Sequence, residues 1–137
     1  MEMEEYDDES YANTERLDFI KRQEAKGMVI NYPEANELLI DIDTTDQYNT
    51  FLQQLEILER NIVGLDRELI KCWASKSGLP ACHISVRLPF DLVTPAMRIA
   101  FQAALGSDPM RELLSLVRLK NGDDFPTILV EKEGWKK

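Results

Sequence analysis

The chain has 137 residues, 44% of them hydrophobic, and a formal net charge of −9, which suits one domain with one core and argues against a disordered chain. It has no run of about 18 apolar residues, so no membrane span is expected, and the acidic start Met1-Glu2-Met3-Glu4-Glu5 lacks the character of a secretory signal. Two cysteines without metal-type spacing, Cys72 and Cys82, fit free thiols in a reducing cytoplasm.

Residues 1–27 read as an acidic N-terminal arm, with a helix of modest quality over 10–26 that stops at Gly27; residues 28–137 read as a single domain. Met28 to Asn36, with Pro33 inside it, is expected to be a connector. Glu37 to Thr44 is a strand carrying Asp41 and Asp43 two residues apart. Thr44 or Thr45 caps the next helix, where Tyr48, Phe51, Leu52, Leu55, Leu58 and Ile62 recur at helical spacing until Gly64 ends it.

Arg67 to Ser75 is expected to be a strand, 76–81 a turn, and Cys82 to Leu88 a second strand antiparallel to the first. Thr94-Pro95 and Asp108-Pro109 each open a helix with proline at its first position; the helices stop near Gly106 and Lys120. Asn121-Gly122-Asp123-Asp124 is a polar turn before a last strand, Thr127 to Glu133. The order implies an α+β fold: an antiparallel or mixed sheet of about four strands with helices on one face, related to the split βαβ unit, plus the N-terminal helix.

Strand side chains alternate between faces. Ile40, Ile42, Ile84 and Val86 should therefore lie under the helices, with Asp41, Asp43, Lys71, Trp73, His83, Ser85 and Arg87 on an uncovered face. Two carboxylates on one open strand face repel unless a cation sits between them, and a divalent metal is the usual answer. Charge is uneven along the chain. Residues 1–24 carry nine acids against three bases, whereas residues 67–90 carry four bases against one acid. The acidic excess thus belongs largely to the arm, and the centre is locally basic.

The string Leu39-Ile40-Asp41-Ile42-Asp43, then a helix, then Ser75-Lys76-Ser77-Gly78 leading into His83-Ile84-Ser85-Val86, resembles the archaeo-eukaryotic primase-polymerase superfamily. The resemblance implies a metal-dependent nucleotidyltransferase core using Mg²⁺ or Mn²⁺ held by Asp41 and Asp43. Its substrates would be a nucleoside triphosphate and a single-stranded DNA or RNA template, and another replication protein would be a partner. It also implies that His83 and the turn at Ser75, Lys76, Ser77 and Gly78 contact phosphate, and that Glu131 is a third acid. Arg87 and Lys71 would add positive charge, and Trp73 would stack on a base.

Other readings compete with it. Asp43 before Thr44-Thr45 can be a helix-start residue, a lone histidine can be structural, and Glu131 can be solvated surface. A non-catalytic, phage-type acidic binding protein or inhibitor acting on a nucleic-acid enzyme would use the arm as its contact. Asp41-Ile42-Asp43-Thr44-Thr45 also matches the Asp-x-Asp-x-Thr nucleophile motif of haloacid dehalogenase-like phosphatases. Those need a parallel doubly wound sheet for which this chain has too few βα units.

Overall fold

The computed structural model describes residues 8–75 and 78–132. Lys76 and Ser77 of the predicted phosphate-binding turn, and most of the acid-rich first residues, therefore lie outside the described residues. The fold is α+β with an N-terminal helix and antiparallel strands. In chain order it runs α1 (Asp8–Ala25), β1 (Met28–Asn31), β2 (Glu37–Ile42), α2 (Thr45–Asn61), a 3-10 turn at Arg67–Leu69, β3 (Lys71–Ala74), β4 (Cys82–Arg87), α3 (Pro95–Ala104), α4 (Pro109–Lys120) and β5 (Leu129–Lys132). Among the described residues no helix is long and apolar enough to cross a membrane.

The strands divide between two small sheets. One has the order β2-β4-β3; the other is the two-stranded ribbon β1-β5. The segment expected to be a connector from Met28 therefore begins with a strand, and Met28 to Asn31 pair with Lys132 to Leu129. Pro33 lies two residues beyond its end, where no ladder donor is needed. The strand expected from Arg67 begins later, because Asp66 caps a 3-10 turn by accepting from the Glu68 N–H at 2.9 Å. Since all described strand pairs are antiparallel, they do not form the parallel sheet that a haloacid dehalogenase-like phosphatase requires.

The core face of the larger sheet follows the alternation. Leu38, Ile40 and Ile42 of β2 and Cys82, Ile84 and Val86 of β4 pack with Phe51 and Leu55 of α2 and with Leu88 and Leu105. Thr44 caps α2 through its hydroxyl, which accepts from the Gln47 N–H at 3.1 Å; Thr94 and Asp108 cap α3 and α4 in the same way, from Met97 and Arg111.

The outer edge of β2 meets side chains where another strand would otherwise run. The Leu39 N–H donates to Gln102 Oε1 at 2.9 Å, and the Asp41 N–H to Ser107 Oγ at 2.9 Å. The Leu39 carbonyl accepts from Arg111 Nη1, the Glu37 carbonyl from Arg98 Nε at 3.0 Å, and the Asp41 carbonyl from the Asp108 N–H at 2.7 Å. Five alternating edge groups of one strand are thus satisfied from α3, α4 and the junction between them, which closes an edge otherwise open to strand addition.

These contacts overturn the expectation of an uncovered second sheet face. Ser85 and His83 are buried, as are Glu37 and Leu39 of β2. The cover is polar: Gln102 of α3, Glu112 and Ser115 of α4, Thr127 before β5 and Glu131 on β5 are buried as well. Arg16 of α1 reaches into the same side of the molecule, donating through Nε to the Phe125 carbonyl at 3.0 Å. The groups foreseen as an open binding face instead form, in part, a hydrogen-bonded layer between the sheet and the elements above it.

Candidate metal and phosphate site

At the C-terminal end of β2 the polar layer opens into a cavity of about 240 Å³ lined by Asp41, Asp43, Ser75, His83, Arg111 and the segment 128–130. Asp41 is the last acid within β2 and Asp43 follows the strand. Asp108 arrives from the α3–α4 junction, and one carboxylate oxygen from each of these three acids lies within 4.8 Å of the others.

Local bonds fix this meeting. The Asp108 N–H donates to the Asp41 carbonyl, and the Asp41 N–H donates to Ser107. Gln47, in the first turn of α2, holds the other two acids. Its Oε1 accepts from the Asp43 N–H at 2.7 Å and its Nε2 donates to Asp108 Oδ1 at 3.2 Å. The second Asp108 oxygen accepts from the Arg111 N–H at 3.1 Å.

Burial, together with the negative charges of Asp41 and Asp108, pushes the Asp43 carboxyl above its usual range, and His83 acts in the opposite sense. Three hard carboxylate oxygens gathered within 4.8 Å also suit a small divalent cation.

His83 stands directly across from Asp41 in the β2–β4 register and from Trp73 in the β3–β4 register, so the three side chains share one face. Its Nε2 lies 3.4 Å from Asp41 Oδ1, and its Nδ1 meets the buried carboxylate of Glu131 on β5. The imidazole thus joins a buried acid to the acid cluster. Glu131 was expected as a metal ligand; its carboxylate is instead engaged by His83, and the third acid of the cluster is Asp108.

The remaining predicted residues separate into near and far groups. Ser75 lines the cavity, and Gly78 closes the following turn, donating its N–H to the Ser75 carbonyl at 2.8 Å with φ of 80°, a conformation that favours glycine. Trp73 is half-buried beside His83.

Lys71 is exposed and opposite Ser85, two positions farther along β3. Arg87 lies four positions along β4 from His83, a separation of about 13 Å, where it donates to Asn36 Oδ1 at 3.3 Å and lies 3.8 Å from Glu37. Neither lines the cavity.

Arg111, which the sequence reading did not single out, does line it. Its guanidinium is tied back to the Leu39 carbonyl, to the Ile128 carbonyl at 3.2 Å and to Glu112 at 2.6 Å. No family model, curated protein or solved structure matches the chain.

Proposed function

We propose that this chain is a nucleotide- and nucleic-acid-binding domain of primase-polymerase type, carrying out metal-dependent nucleotidyl transfer in the cytoplasm. The observation that supports the reading is the convergence of Asp41, Asp43 and Asp108 beside the chain's single histidine at one cavity. These three acids would hold Mg²⁺ or Mn²⁺, which when bound neutralises charge on a triphosphate and on the phosphorus centre being attacked.

The chain's own groups supply the rest. His83, held by Glu131, and Ser75 line the space next to the acids, and with Lys76, Ser77 and Gly78 they would bind phosphate. Trp73, on the same face, offers a ring on which a template base can stack. Arg111 sets the cavity wall through its carbonyl bonds. Lys71 and Arg87, farther along the sheet, would attract the nucleic-acid backbone rather than the triphosphate. The two free thiols among the described residues suit a reducing compartment.

Isothermal titration of Mn²⁺, and then of a nucleoside triphosphate in its presence, into wild type and Asp43→Asn tests the reading. Saturable metal binding that is weakened at least about tenfold by the substitution, with triphosphate binding lost in parallel, is expected. Equal heats from the two proteins would remove its support.

A further inference from the structure

Helix α4 is amphipathic in the reverse sense. Residues three and four apart share a helix face, and Met110, Leu113, Leu114 and Val117 form such a stripe. It faces outward: Met110 is 62% exposed, Leu113 56% and Val117 47%, whereas Glu112 and Ser115 on the opposite side are 2% and 1% exposed. A surface helix ordinarily turns its apolar stripe to the core.

The inversion has a structural cause. The inward side of α4 is polar because it serves the buried polar layer. Arg111 caps the Leu39 and Ile128 carbonyls, Ser115 donates to the Pro126 carbonyl at 2.9 Å, and Glu112 accepts from Gln102 at 2.9 Å. Rotating the helix to bury its leucines would break all of these bonds. The apolar side is therefore held outward, where it meets water unless a partner covers it.

We infer that this stripe pairs with the same stripe of a second copy, the two α4 helices lying antiparallel across a two-fold axis. A spacing of i, i+3, i+4, i+7 is self-complementary in that orientation: Met110 of one copy meets Val117 of the other, and Leu113 and Leu114 sit at the axis. Charge favours the same orientation. The last turn of α4 carries Arg118 and Lys120, while at its start the N-cap Asp108 and the adjoining Asp41 and Asp43 outnumber Arg111. Antiparallel pairing brings each basic end towards the acidic end of its partner and aligns the helix dipoles favourably. An anionic membrane surface fits less well, because it would offer no basic groups to Asp108, whereas a second copy brings Arg118 and Lys120.

One 12-residue helix provides less than the roughly 800 Å² per partner of a standard interface. The dimer is therefore weak and forms only at high protein concentration. This inference needs no catalysis, and its charge complementarity is that of the metal-free acid cluster.

Sedimentation equilibrium over a range of protein concentrations tests it. Wild type should shift from monomer to dimer. Leu113→Glu with Val117→Glu, both at exposed positions, should remain monomeric with an unchanged circular dichroism spectrum, and Lys120→Glu should weaken the dimer about tenfold. In a Cys72→Ser background, Leu114→Cys should cross-link to itself under mild oxidation more readily than Met110→Cys. A wild type that stays monomeric throughout, a dimer indifferent to the double substitution, or preferential cross-linking through position 110 would each overturn the arrangement.

Discussion

Replacing Gln102 with leucine tests the account of the closed β2 edge. Gln102 is fully buried. Its Oε1 accepts from the Leu39 N–H, and its Nε2 donates to Glu112 Oε1 at 2.9 Å and to Thr127 Oγ1 at 3.4 Å. Leucine has nearly the same volume, so Gln102→Leu opens little cavity and isolates the polar effect. It leaves one buried backbone N–H without an acceptor, at a cost of about 1–3 kcal/mol, and removes a charge-assisted bond to Glu112 worth about 1.5–3 kcal/mol. Glu112 retains Arg111, so the total should be about 3–5 kcal/mol rather than the larger cost of an isolated buried charge. Against a total stability of about 5–15 kcal/mol, that moves the urea midpoint by about 1 M or more at typical slopes. Gln54→Leu is the matched control. Gln54 donates to the Ala104 carbonyl at 3.1 Å on the surface, where water can replace it, and the expected loss is below about 0.5 kcal/mol. Urea unfolding followed by circular dichroism reads both. A Gln102→Leu variant no less stable than Gln54→Leu would refute the idea that side chains satisfy the edge of β2.

Three further outcomes follow from buried charge and thiol chemistry. Arg16, pushed down to about 10 chiefly by burial, lies 3.4 Å from the buried Asp123; Arg16→Met should cost about 3 kcal/mol in thermal unfolding, and adding Asp123→Asn should restore part of it by removing the uncompensated charge while keeping an acceptor for the Phe125 N–H. In chelator-treated protein, Asp43→Asn should be more stable than wild type by under about 1 kcal/mol at neutral pH, since Asp43 is partly solvated. Its folded-state carboxyl binds a proton more tightly than in the unfolded chain, so the penalty of ionising it is present at neutral pH. The advantage of asparagine should fade as pH falls through the raised Asp43 range; a pH-independent difference would contradict the clustering. The Cys82 thiol, buried and pushed up to about 12, should resist a thiol reagent at pH 8 while exposed Cys72 reacts; a titre of one thiol in the native protein and two in urea checks this.

Local signals carried much of the fold. Thr44, Thr94 and Asp108 cap helices where the sequence places them, because capping depends on residues three apart. The apolar alternation of Leu38-Ile40-Ile42 and Cys82-Ile84-Val86 identifies the core face because strand period is local too. Alternation says which side chains point together, though, and nothing about what lies above them. The second face therefore looked open, when Gln102, Glu112 and Glu131 cover it from elements 60 or more residues beyond β2 in most cases. Strand Met28–Asn31 was hidden for a related reason: four residues carry little pattern, and its partner β5 is near the other end of the chain. Asp108 gave a clear local reading as the residue before a helix-opening proline, and that reading is correct, yet it did not disclose the second use of the same carboxylate. Arg111 had no signal beyond its place in an ordinary helix.

The closed strand edge and the acid cluster are parts of one arrangement. Three carboxylates within 4.8 Å repel by roughly 1–3 kcal/mol per pair at effective dielectric constants between those of a protein surface and water. Free side chains on a loop would relax apart. Here the Asp41 carbonyl is bonded to the Asp108 N–H, and Gln47 bridges the Asp43 backbone to the Asp108 carboxylate, so separating the acids means breaking bonds that also close β2. The repulsion is thus offset during folding by the same α3–α4 junction that satisfies the strand. A cation entering the cluster would meet ligands already gathered, and its binding would relieve strain instead of having to organise the site.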